Sequence, residues 1–266
     1  MSLATFQRAL SDLTASPRLC RSFRLQPDAI LNRYNLSARE RERLLSLRSQ
    51  QGLATQCGLY RANRITPVYT LLPLTCFALG GDLAAVAEQF WSGCEDTELQ
   101  FKQEISRFAA FLKQAIRKRE LHNPVLEEIL DFELAANTLR FLPRREIAQL
   151  LLSRTTPDDT PWLHPLVKVV AFRHEPSRLL HLLNSMEPPP YVVAEGEYYL
   201  LLDARDDELV VKRIDPLLGR TLREIQHQTA RPLSAEDSEA MVREGFIVRA
   251  NPSLRLALNK LAQLWQ

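Results

Sequence analysis

The stretch Ser153–Phe172 reads SRTTPDDTPWLHPLVKVVAF, and the fold turns on it. Its first nine residues hold three threonines, two prolines and the adjacent Asp158 and Asp159. Such residues bond to their own backbone or fix φ, so Ser153–Pro161 has the composition of a linker. Leu166–Phe172 (LVKVVAF) is then a β-rich run. Before this stretch apolar residues recur at helical spacing; after it strands and helices mix. The expected class is α+β: an all-α helical bundle over 1–152, then a small α+β domain over 162–266 with an antiparallel sheet.

Outward toward the N-terminus, Leu3, Phe6, Leu10 and Leu13 keep the 3-to-4 spacing of one buried helix face. Ser16-Pro17 and Gln26-Pro27 restart the chain as short helices, with proline in the first turn. Ser37 and Glu40 form a capping box, so a long helix is expected from Ala38 toward Asn63 despite Gly52 and Gly58. Thr66-Pro67 is expected to open another helix, and Gly80-Gly81 to end it. Two longer amphipathic helices follow, one around Phe108 and Leu112, the other from Asn123-Pro124.

Toward the C-terminus, Tyr191–Val193, Glu197–Asp203 and Glu208–Ile214 are strand candidates, the last two joined by a hairpin turn at Arg205-Asp206-Asp207. Asp215-Pro216 caps a helix to about Gln226, and Ser234 opens one that Gly245 stops. Phe246–Arg249 is a short strand, and Asn251-Pro252 opens a terminal helix. A hairpin, two helices and a strand make a winged-helix-like or peptide-recognition-like order.

The 266 residues suffice for one large domain or two modest ones, and the 25% charged share excludes wholesale disorder. No run of 18 apolar residues and no signal-peptide pattern occurs, so a cytoplasmic protein without membrane association is expected. Cys20, Cys57, Cys76 and Cys94 show no C-x-x-C spacing and are expected reduced.

Enzyme signatures are missing: no G-x-G-x-x-G, no G-x-x-x-x-G-K-[ST] and no G-x-S-x-G. His122, His164, His174, His181 and His227 lack the i, i+4 spacing that puts two ligands on one helix face. His174 and His181 could meet across a strand–helix turn, but surface histidines are the expectation. Glu127-Glu128 and Asp206-Asp207 are expected to be solvated acids. No catalytic, metal or cofactor-binding residue is therefore assigned.

The net charge of +2 hides an asymmetry. Residues 1–64 carry eleven arginines, no lysine and four acids, a net of +7, which leaves −5 for the rest. Arginine suits bidentate contacts to phosphate or carboxylate. Nucleic acid, an acidic protein or peptide surface, and a solvated face paired with acids of the second half all fit. Arg61 and Arg64, three apart beside Tyr60, are the candidate interface pair. Near the other end, an exposed sheet edge at Leu209, Val210, Val211 and Arg213 could add an extended peptide. The helix Ser234–Glu244 could face DNA only at a cost, because Glu236, Asp237, Glu239 and Glu244 oppose Arg243 alone.

The run Phe6–Leu44 resembles small helical accessory subunits of extradiol dioxygenases. Tyr60–Trp91 (YRANRITPVYTLLPLTCFALGGDLAAVAEQFW), Ile105–Ile116 (ISRFAAFLKQAI), Asn123–Ala135 (NPVLEEILDFELA) and the V-R-E-G-F turn at Val242–Phe246 resemble a different family. That family carries a DNA-binding-domain label and includes the partner subunits of methanobactin biosynthesis and of copper-storage peptide systems. The resemblance implies a non-catalytic subunit, free of iron itself, in a heterodimer with a TIM-barrel multinuclear iron oxidase. It also implies recruitment of a ribosomally made precursor peptide for cysteine modification. The family label keeps a DNA-binding transcriptional regulator as the alternative.

Overall fold

The computed structural model describes residues 3–48, 51–93, 101–153, 162–185, 194–206, 208–229 and 235–248. The chain divides into two compact units, Met1–His122 and Asn123–Gln266. The expected boundary lay in the linker at 153–161, and the structure moves it upstream. The reason is packing: the helix Leu126–Arg140 lies on the sheet of the second unit.

The first unit is helical in its described residues: α1 (Leu3–Ala15), α2 (Pro17–Leu25), α3 (Pro27–Leu31), α4 (Ala38–Leu47), α5 (Gln51–Leu71), α6 (Pro73–Leu79), α7 (Leu83–Gly93) and α8 (Phe101–Arg117). The stripe read on α1 faces inward, where Ala9 and Leu13 pack with Cys20, Phe23, Ile30, Leu31 and Leu44. Ser16 caps α2 by accepting the Leu19 N–H at 3.2 Å. The box at α4 is present in full: the Ser37 N–H donates to Glu40 Oε2 at 2.8 Å, and the Glu40 N–H donates to Ser37 Oγ at 3.3 Å. A second apolar core joins α7 to α8, with Phe90 edge-on to Phe108 at 5.2 Å. Cys20 and Cys76 are buried free thiols.

Two helix boundaries differ from the sequence reading. The single helix expected from Ala38 toward Asn63 is two separate helices, α4 and α5. Thr66-Pro67 opens nothing, for Pro67 lies inside the 21 residues of α5. Proline there withholds an N–H from the Asn63 carbonyl, a loss of about 3 kcal/mol in an isolated helix. Burial of Val68 (1% exposed) and Leu72 (0%) in the core offsets that cost. The break falls at Leu72, and Pro73 takes the first turn of α6.

The second unit contains α9 (Leu126–Arg140), α10 (Arg144–Ser153), β1 (Trp162–Leu163), β2 (Val167–His174), α11 (Pro176–Asn184), β3 (Glu195–Asp203), β4 (Val210–Ile214), α12 (Pro216–Gln226), α13 (Ala235–Arg243) and β5 (Ile247–Val248). The architecture is thus mixed helix and small antiparallel sheets, as the switch at the linker predicts. β2, β3 and β4 form one sheet in that order, and β1 pairs with β5. Asp215 caps α12 through the Leu217 and Leu218 N–H groups, and Gly245 takes φ +71° after α13. Tyr191–Val193, Ser234, Arg249 and the expected terminal helix lie outside the described residues.

Both faces of the sheet are used. On one, Val167, Val169, Tyr199 and Leu201 pack against Leu222 and Ile225 of α12. On the other, α9 lies on β2, where Phe132 meets Phe172 at 6.3 Å.

Candidate functional site

The sheet has two outer edges, and they are finished differently. At β2 the edge is occupied by side chains. Gln226 of α12 accepts the Val169 N–H at 2.9 Å and donates to the Val169 carbonyl at 3.3 Å. The His174 N–H donates to Glu128 of α9 at 3.3 Å. A side-chain amide thus takes the place a neighbouring strand would fill.

At β4 no described residue does this. The pairing register shows which of its backbone groups face outward. Val169 turns its N–H and carbonyl away from β3, so its partner Leu201 turns its own toward β4. Leu201 pairs with Lys212, so Lys212 bonds inward, and the alternation leaves Val211 and Arg213 with outward N–H and carbonyl groups. No hydrogen bond links these groups to any described residue.

The side chains along that edge are apolar and basic. Val210 is 36% and Val211 41% exposed, and Lys212 and Arg213 are exposed. Leu209, half-buried, precedes the strand. Val210 and Lys212 sit on the α12 face with Ile214; Val211 and Arg213 sit on the α9 face. Arg213 is engaged: it lies 5.0 Å over the Tyr198 ring and 3.2 Å from Glu175. Lys212 has no acidic partner among the described residues. Nearby, Glu197 accepts Arg220 at 2.6 Å and the Tyr199 hydroxyl at 2.6 Å, and these bonds hold its carboxyl below the usual range. Burial first, then Glu197, pushes the Tyr199 hydroxyl up.

The turn joining β3 to β4 is anchored by Arg205. It bonds Asp203 at 2.6 Å, donates to the Glu244 carbonyl at 2.7 Å and lies 5.2 Å over Phe246. The Arg205 bond holds the Asp203 carboxyl low. The β4 edge, unbonded by any described residue, therefore stands on an anchored hairpin.

No family model matches this chain, and no curated protein matches it.

The other candidates fare differently. Arg64 is not a surface residue: it is 9% exposed, bonded through Nε to Glu104 at 2.7 Å and 5.4 Å over Trp91. Its charge is met within its own unit and is not presented to a partner. Tyr60 and Arg61 lie on α5, but their side chains are outside the described residues. Other arginines of the basic quarter also find partners in that unit. Arg41 meets Asp28 at 2.7 Å, Arg21 lies 3.7 Å from Glu88, and Arg48 donates to the Arg24 carbonyl at 2.9 Å. The second-half acids expected as partners are not the ones used in these pairs.

Two residues read as solvated are buried. Glu128 and His174 are each 9% exposed, and the carboxylate lies 3.1 Å from Nδ1. Glu127 beside it is exposed, as neighbours about 100° apart on a helix require. The apolar residues flanking Glu128 were the available signal. Among the described residues no group of three or more His, Cys, Asp or Glu could hold a metal ion, and no single helix is long and apolar enough to cross a membrane.

Proposed function

We propose that this chain is a non-catalytic recruitment subunit that captures an extended peptide on the edge of β4 and delivers it to a partner enzyme. The β4 edge carries the reading: on β2, Gln226 and Glu128 bond the edge at Val169 and His174, while β4 offers the outward backbone groups of Val211 and Arg213, which no described residue bonds, beside exposed valines. Adding a strand there satisfies those groups and covers apolar surface. Recruitment acts by raising the peptide's local concentration at the enzyme. The family resemblance supplies the rest of the proposal: a TIM-barrel multinuclear iron oxidase as the partner, iron held in that partner, and a ribosomally made precursor whose cysteines are modified. The arrangement of hairpin, α12, α13 and β5 is the peptide-recognition-like module of this reading.

The DNA-binding alternative has less support. Arg41, Arg48 and Arg64 have partners inside their own unit, and α13 carries Glu236, Asp237 and Glu239.

The test is co-expression with a neighbouring iron-barrel protein and its short cysteine-containing peptide. The expected result is one co-eluting complex that modifies the peptide. Val211→Pro, which deletes one outward N–H and no β3 bond, should keep the complex and lose modification. Full modification by the barrel protein alone would overturn the proposal.

A further inference from the structure

The order of side chains on β4 defines which peptide fits, an inference that rests on edge capture at this strand. A strand laid on the edge must pair with the outward groups of Val211 and Arg213, which fixes its register in steps of two. Its residues then stand opposite Val210, Val211 and Lys212 in succession, on alternating faces. The first two positions favour apolar partners, because both valines are exposed although they point to opposite faces. The third favours a carboxylate, because Lys212 has no acid among the described residues. Arg213, already held by Glu175 and Tyr198, adds little selectivity.

We infer that the β4 edge selects a segment with two consecutive apolar residues beside one acidic residue: acid-apolar-apolar when it runs antiparallel to β4, apolar-apolar-acid when it runs parallel. Two adjacent apolar residues are unusual on a strand with one wet face. They fit here because the edge strand is exposed on both sides. A second copy of this chain fits worse. The outward groups allow β4 to pair with itself about Val211, Lys212 or Arg213. These registers set Lys212 against Val210, another Lys212 and Ile214 respectively. None sets an acid opposite Lys212.

The test uses the full chain and fluorescein-labelled ten-residue peptides at low ionic strength, read by anisotropy. Their cores are Glu-Val-Val, Val-Val-Glu, the same two with Lys for Glu, and Glu-Ser-Ser. One Glu core should bind about fivefold or more tighter than its Lys counterpart, and Glu-Ser-Ser should bind weakest. Lys212→Glu should reverse the preference between Glu and Lys cores, a result that simple unfolding does not produce. Val211→Pro should abolish binding of every core, with circular dichroism checking the fold. Equal binding of Glu and Lys cores, or no reversal in Lys212→Glu, overturns the selectivity. If the precursor peptide still binds in a Val211→Pro-sensitive way, edge capture survives that failure; if it binds the variant equally well, edge capture fails too. A dimer that Val211→Pro dissociates would assign the edge to a second copy and overturn the inference.

Discussion

Removal of Glu104 tests the reading of the first unit most directly. Its Oε1 accepts Arg64 Nε at 2.7 Å and Trp91 Nε1 at 3.1 Å, and the two charged side chains are only 9% and 6% exposed. Glu104→Leu takes away the carboxylate beside a buried guanidinium, which costs about 3–5 kcal/mol. Loss of the Trp91 acceptor adds about 1 kcal/mol, since Trp91 is half-buried and water reaches part of it. Arg64→Met strands the carboxylate instead and costs about 3–5 kcal/mol by the same argument. The double variant buries two apolar side chains of similar length and removes both charges. Its cost should fall within about 1–2 kcal/mol of zero. Against a domain stability of about 5–15 kcal/mol, each single change is severe and the double one is not. The assay is urea unfolding followed by Trp91 fluorescence, with Trp162 and Trp265 replaced by Phe in every variant. Losses in the double variant that equal the sum of the single losses would refute the reasoning, as would a single loss below about 1 kcal/mol. If Arg64 faced a partner, Arg64→Met would weaken association and leave unfolding unchanged.

Further outcomes follow from other sites. Gly219→Ala should destabilise by about 1–3 kcal/mol in thermal unfolding, because a Cβ there would overlap the Tyr199 ring, and this outweighs alanine's gain in helix propensity of about 1 kcal/mol. Ser37→Ala should lower stability by about 1 kcal/mol in urea titration, because it removes the hydroxyl that accepts the Glu40 N–H and leaves only the backbone half of the box, while Ala38→Gln, outside the box, should not. Burial, and then Arg205, hold His164 below its ordinary pKa, and its Nδ1 accepts the Leu166 N–H at 3.1 Å. The unfolded chain therefore binds that proton more readily, so stability is full above about pH 6.5 and falls as pH drops through the folded value. His164→Gln should show a shallower decline across that window in pH-dependent melting.

Features built from near neighbours in the chain were legible. Ser37 reaches Glu40, and Asp215 reaches the first turn of α12, over three residues or fewer. Those contacts form wherever the helix starts, so residue type and spacing suffice. The hairpin was legible too, because two β-rich runs flank the turn at Arg205; that its second strand is an outer strand of the sheet was not. What failed needed distant partners. Pro67 reads as a helix start until the burial of Val68 and Leu72 is known. Arg64 reads as one more surface cation, yet its carboxylate lies forty positions away. Glu128 and His174 are separated by 46 positions, and neither spacing nor periodicity links them.

The sequence by itself determined the caps, the change from helix to strand after Ser153 and the lack of familiar catalytic motifs, because each depends on local chemistry. Tertiary structure alone decided that α9 belongs with the sheet, that Arg64 is a core residue, and that Gln226 bonds the β2 edge at Val169 while no described residue bonds the β4 edge. A buried charge or a strand edge is defined by what packs beside it, and that neighbour comes from another part of the chain.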